Sequence, residues 1–141
     1  MNPVHLKTEV RIQAPAQDVW NGLISFPEMP HWNNHVVSAK YVTTEPFGKG
    51  TVLRVEKRRK ILILTVEEAH PPLLLKLRLS HGKSRGTASF SLTQDGNSTL
   101  LEQSVTLHLA GLAPILAPVI GRNIKQELRR LQESVEHNGK R

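Results

Sequence analysis

Val10-Arg11-Ile12-Gln13-Ala14-Pro15-Ala16-Gln17-Asp18-Val19-Trp20 is the stretch on which the fold of this chain turns, because its two halves obey different periods. The first half continues an alternation that begins at Val4. Val4, Leu6, Thr8, Val10 and Ile12 share one parity and are mostly apolar, while His5, Lys7, Glu9, Arg11 and Gln13 are polar, the period of a half-buried strand. The second half puts Pro15 where a helix can start and follows it with Val19, Trp20, Leu23 and Ile24 at helical spacing. A strand therefore runs directly into a short helix.

Downstream, Phe26 to Asn34 combines prolines, aromatics and asparagines and reads as a second short helix or an ordered loop. Strand candidates follow at His35–Thr44, Thr51–Arg58, Ile61–Ala69, Leu73–Ser80, Arg85–Thr93 and Thr99–Leu109. Turn signals at Pro46–Gly50, Arg59-Lys60, Pro71-Pro72, His81–Lys83 and Asp95–Asn97 separate them, an even spacing that predicts an antiparallel meander. From about Leu112 to His137, Ile115, Val119, Ile124, Leu128, Leu131 and Val135 recur between charged residues as one long amphipathic helix, with Pro118 expected to bend or break its first part. The expected fold is α+β: a curved antiparallel sheet of six or seven strands wrapped around the last helix, with two short helices after the first strand. Sheet and helix cannot fill the space between them, and the residual volume is a natural pocket.

The 141 residues fit one domain, expected to span 1–141, with no linker, repeat or low-complexity tract. The absence of cysteine removes disulfides, thiolate metal sites and thiol nucleophiles. The N-terminus shows no basic run followed by an apolar stretch, so a cytoplasmic protein is expected. The apolar segment Leu112–Ile120 contains two prolines and falls far short of the roughly 20 residues a spanning helix needs. The formal charge of +7 is scattered except at Lys57-Arg58-Arg59-Lys60 and between Arg122 and Arg130. Such clusters suit an anionic membrane surface, and nucleic acid ranks below it because no aromatic residues interleave the charges.

The opening stretch resembles the signature of the START/Bet v 1-like (SRPBCC, polyketide-cyclase-like) superfamily, matching its strand-Ala-Pro-x-x-x-Val-Trp pattern. Three further segments in order are similar to that family: Phe26-Pro27 leading to His31-Trp32-Asn33, Glu67-Glu68-Ala69-His70-Pro71-Pro72, and Asn97 to Glu102 followed by Gly111-Leu112 and the long helix. The resemblance covers nearly the whole chain and implies the helix-grip fold with an internal cavity. Across the family that cavity holds lipids, sterols, quinones, plant hormones or polyketides, and only some members do chemistry in it. Fold alone does not choose among these activities.

With charged residues facing water, alternation turns an aliphatic set inward. The expected ligand-binding residues are Leu53, Val55, Leu64, Leu75, Leu77, Phe90 and Val105 from the strands and Val119 from the last helix. Trp32 joins them as a cavity wall or gate. Tyr41, Lys57 and Gln103 are the polar residues of the same parity, Gln103 being the most informative because a buried amide needs partners that a ligand can supply. Arg78 or Ser80 would join them if the parity of their strand is the other one.

The seven histidines lack metal-ligand spacing, so neither metal nor cofactor is expected. There is no Gly-x-Ser-x-Gly elbow, and the adjacent Glu67 and Glu68 point to opposite faces and cannot flank one bond, so no catalytic residue is assigned. The leading expectation is binding or transport of a small hydrophobic ligand. The alternatives are a polyketide cyclase or dehydratase-like enzyme in the same cavity, using Tyr41, Lys57, Gln103 or a pocket histidine as acid or base, and a membrane- or RNA-associated protein acting through its basic clusters.

Overall fold

In the computed structural model, which describes residues 3–110 and 117–139, the first strand β1 (Val4–Ile12) turns within three residues into helix α1 (Ala16–Ile24). Pro15 supplies the extended residue before the helix, and Ala16 N–H, one of the four donors that a helix start leaves open, is capped from across the molecule by Gln94 Oε1 at 2.9 Å. The turn itself is pinned by Thr99, wholly buried, whose Oγ1 donates to the Ala14 carbonyl at 2.8 Å. A 3-10 helix, Phe26–His31, follows directly, with two prolines inside it.

Six strands then form the meander: β2 (Val36–Tyr41), β3 (Val52–Lys57), β4 (Lys60–His70), β5 (Leu74–His81), β6 (Ser84–Asp95) and β7 (Ser98–His108). The sheet order is β1-β7-β6-β5-β4-β3-β2, antiparallel throughout, so the first and last strands of the chain's sheet are neighbours and β1 and β2 are its edges. Helix α2 (Ala117–Gly139) lies against the inner face, where Leu128, Leu131 and Val135 are buried and Gln132 Nε2 donates to the Arg11 carbonyl at 2.8 Å. This is the helix-grip arrangement. Pro118 is the second residue of α2 as described, so the bend or break expected of it against the preceding part of the helix falls outside the described residues. The expected start between 112 and 116 lies outside the described residues.

Two glycines permit the close approaches on which the packing relies. A Cβ on Gly22 of α1 would stand 2.7 Å from Val135 Cγ2, so the two helices touch through a missing side chain. A Cβ on Gly86 of β6 would meet Leu107 Cδ2 at 2.7 Å and the Thr106 carbonyl oxygen at 2.8 Å. The second contact is with backbone, which cannot step aside.

Gly86→Ala is therefore expected to lower stability by about 1–3 kcal/mol, the usual cost of overpacking, visible as a lower Tm. Thr99→Val keeps the shape but strands the Ala14 carbonyl, and chemical denaturation should record a loss of about 1–3 kcal/mol.

Candidate functional site

The inner face of the sheet is built in rungs, and their sequence explains why one end is solid and the other hollow. Going along β6, the inward residues are Gly86, Ala88, Phe90 and Leu92, so one end of the strand carries small side chains and the other large ones. Leu92 pairs with Leu101, which pairs with Val10, and this rung is packed solid. In the next rung, Leu75, Phe90 and Gln103, the last two form the floor of the space above it. In the rungs Leu77, Ala88, Val105 and Leu79, Gly86, Leu107 the central residue is too small to reach α2. A cavity of about 550 Å³ opens there, between sheet and helix.

Its wall is aliphatic. Val55, Leu62 and Leu64 line it from β3 and β4, Leu77 and Leu79 from β5, and Phe90, Val105 and Leu107 from β6 and β7. The helix contributes Ile120, Ile124, Leu128 and Leu131, and the 3-10 region contributes Phe26, Met29 and Trp32. Val119 lines the cavity at its open end and is 46% exposed, a lip rather than a wall. Trp32 lines two spaces at once, this cavity and an open outer groove between α1 and the far half of α2, so its indole is the partition between them.

Of the expected ligand-binding residues, Leu53 and Leu75 are wholly buried in the packed core and do not line the cavity. Tyr41 departs from the expectation. It pairs with Leu53 and so has the inward parity, yet it closes β2, the edge strand, and its side chain is 42% exposed. Its hydroxyl donates to the Ile24 carbonyl at 3.1 Å, at the end of α1, and partial burial raises its pKa. Arg78 faces outward against Glu67, at 3.0 Å.

The polar groups are unevenly spread. Deep in the cavity stand Gln103 and the buried Asn33, whose Oδ1 accepts the His35 backbone N–H at 2.9 Å. The charged residues gather at the other end, where the tips of the β3–β4 and β5–β6 hairpins meet the first half of α2: Lys57, Lys60, His81, Arg85 and Glu127. Lys57 Nζ lies 3.8 Å from Glu127 Oε1, each side chain 22% exposed. The Arg85 guanidinium is folded onto the Gly82 and Ser84 carbonyls of its own turn. His81 Nδ1 lies 2.9 Å from the Ile61 carbonyl and ties the two hairpin tips together. Lys60 is exposed as a whole, but partial burial desolvates its ammonium and holds its pKa below the usual lysine value. Lys57 nearby pushes in the same direction, and Glu127 opposes it.

Sequence patterning gave no sign of Lys60 or Glu127 as cavity residues. Their side chains belong to a turn and to a polar stripe, and only the docking of α2 brings the two elements together. Arg58 and Arg59 of the same turn, and Arg122, Lys125, Arg129 and Arg130 of α2, are exposed. Among the described residues no group of three His, Asp or Glu side chains could hold a metal ion, and no helix is long and apolar enough to cross a membrane.

The same architecture recurs in solved structures. A START superfamily protein from Mycobacterium smegmatis superposes with a TM-score of 0.81 at 19% identity, over 94% of this chain and 97% of that one. The Zhui aromatase/cyclase from a Streptomyces species matches with a TM-score of 0.77 at 19% identity, over 96% and 94%. A conserved protein from Geobacillus kaustophilus matches with a TM-score of 0.78 at 13% identity, over 94% and 95%. At these identities the likeness is one of fold. No protein with a curated description matches the sequence. A family model does match, over residues 3–136, and with the strand-to-helix opening, the gripped helix and the hollow end of the sheet all in place, this chain belongs to the polyketide cyclase/dehydrase and lipid transport family.

Proposed function

We propose that residues 1–141 form one binding domain that carries a small hydrophobic molecule, of lipid, quinone or polyketide-like character, in the cavity between sheet and helix. The observation that supports this most directly is the distribution of polarity: a continuous aliphatic chamber with its charged groups confined to one end. A volume of about 550 Å³ falls within the range of about 300–1,000 Å³ typical of small-molecule sites. Filled with solvent, it would hold roughly eighteen waters at about 30 Å³ each, facing walls that offer them few partners. Exchanging those waters for an apolar molecule is favourable for the same reason that the core folds.

Cyclase or dehydratase chemistry in this chamber would need acids and bases along its depth, where the ligand's carbonyls would lie. The deep polar residues are Gln103 and Asn33, and neither titrates. A carrier needs no more than they offer, a single amide to orient an oxygen. The family covers both lipid transport and cyclase activity, and the lining favours the first.

Native mass spectrometry of the purified protein after incubation with a lipid extract should reveal a one-to-one complex. In a series of straight-chain alcohols, affinity should rise about fourfold per added methylene, the equivalent of about 0.8 kcal/mol, and level off once the chamber is full. Ala88→Phe places a ring in the empty space of the central rung. It should leave Tm unchanged or higher while reducing alcohol binding at least about tenfold. Equal affinity across the series, with no effect of Ala88→Phe, would rule out this cavity as the binding site.

A further inference from the structure

The end of the cavity that bears charge is not electrically balanced. Three permanent cations line it, Lys57, Lys60 and Arg85, and among the described residues Glu127 is the one carboxylate that does so. Glu127 lies with Lys57, and the Arg85 guanidinium is held by two carbonyls of its own turn. Lys60 has no carboxylate within ion-pair distance among the described residues, although it lines the mouth beside the Lys57–Glu127 pair. Two positive charges are left over, that of Arg85, whose donors its own turn occupies, and that of Lys60, at the point where the aliphatic chamber meets solvent.

Resting on the proposed function, we infer that the ligand is an amphiphile with one carboxylate head, its hydrocarbon part in the chamber and its head at Lys60, with Lys57 beside it. Hydrogen bonds to an ionised partner are about twice as strong as neutral ones, and a carboxylate at the mouth completes a set of two lysines and two carboxylates. A head with two negative charges fits less well, because its second charge would meet Glu127 beside Lys57, and Arg85, the other cation of the mouth, already has its guanidinium on the Gly82 and Ser84 carbonyls. A cationic head would meet Lys57 and Lys60 directly. The neighbouring groups that such a head also senses are His81 on the β5–β6 turn and Arg85 on the lip. Desolvation and Lys57 both disfavour the charged form of Lys60 in the empty protein, and a bound carboxylate offsets both.

The arrangement of the mouth is what makes this a head site rather than a scattered surface charge. The hairpin tip that carries Lys57 and Lys60 is held to the β5–β6 tip by the contact of His81 with the Ile61 carbonyl. The β5–β6 tip is in turn held to the end of β7, where the Ala110 N–H donates to Ser84 Oγ at 3.1 Å. The two lysines therefore project from a braced rim, with Val119 and Ile120 of α2 opposite.

The experiment is displacement of the neutral probe N-phenyl-1-naphthylamine by dodecanoate, 1-dodecanol and dodecylammonium, which share one chain and differ in the head. Measurements at low ionic strength and neutral pH should place dodecanoate about tenfold tighter than dodecanol, with dodecylammonium weakest. Lys60→Met should abolish the advantage of the acid, read as the ratio of dodecanoate to dodecanol affinity in the same variant, with an unchanged Tm certifying that the variant is folded. Glu127→Gln should strengthen dodecanoate and leave dodecanol as it was. If acid and alcohol compete equally in the native protein, the head assignment fails while the cavity reading stands. If none of the three displaces the probe, the cavity reading itself fails. An acid preference that survives both Lys60→Met and Lys57→Met overturns the placement of the head.

Discussion

One helix must cover the inner face of a seven-stranded sheet, and most of what is distinctive in this molecule follows from that mismatch. At about 4.8 Å between strands the sheet would be roughly 29 Å wide if flat, whereas a helix with its side chains is only about 10–12 Å across. The sheet closes the difference by curling around α2, and α1 with the 3-10 helix plugs part of what remains. Where inward side chains are large the gap closes completely. Where they are small it does not, and the chamber is the unfilled part.

The composition of β6 is therefore as much a functional feature as a structural one. The strand lies near the middle of the sheet, paired with β5 and β7, so the size of its inward residues sets the depth of the cavity. Phe90 and Leu92 make a floor, and Ala88 and Gly86 make a void. Gly86 serves a second purpose, since the backbone of β7 passes too close for any Cβ. The same short stretch both brings the strands together and keeps the space above them empty.

Much of this was legible in the sequence, because the evidence for it is local. Alternation identified the inward faces of β3 to β7, and Val55, Leu64, Leu77, Phe90 and Val105 stand on the cavity wall as parity required. Parity does not specify height along a strand, which is why Leu53 and Leu75, on the correct face, ended in packed core. Nor does it specify coverage: Tyr41 has the inward phase but closes the edge strand and stays 42% exposed. The charged mouth was the least legible part. Lys60 and Glu127 are set together by the docking of a helix against a hairpin tip, a relation between segments far apart in the chain that no periodicity encodes.

The chain contains two tryptophans, and the structure gives them very different surroundings. Trp20 is 2% exposed in the packed core of α1, away from the cavity wall, so its emission is that of a shielded, invariant indole. Trp32 lines both the inner chamber and the outer groove. The partition thus makes the protein its own optical sensor: whatever fills or empties either compartment changes the polarity around a single fluorophore, against a constant background from the other.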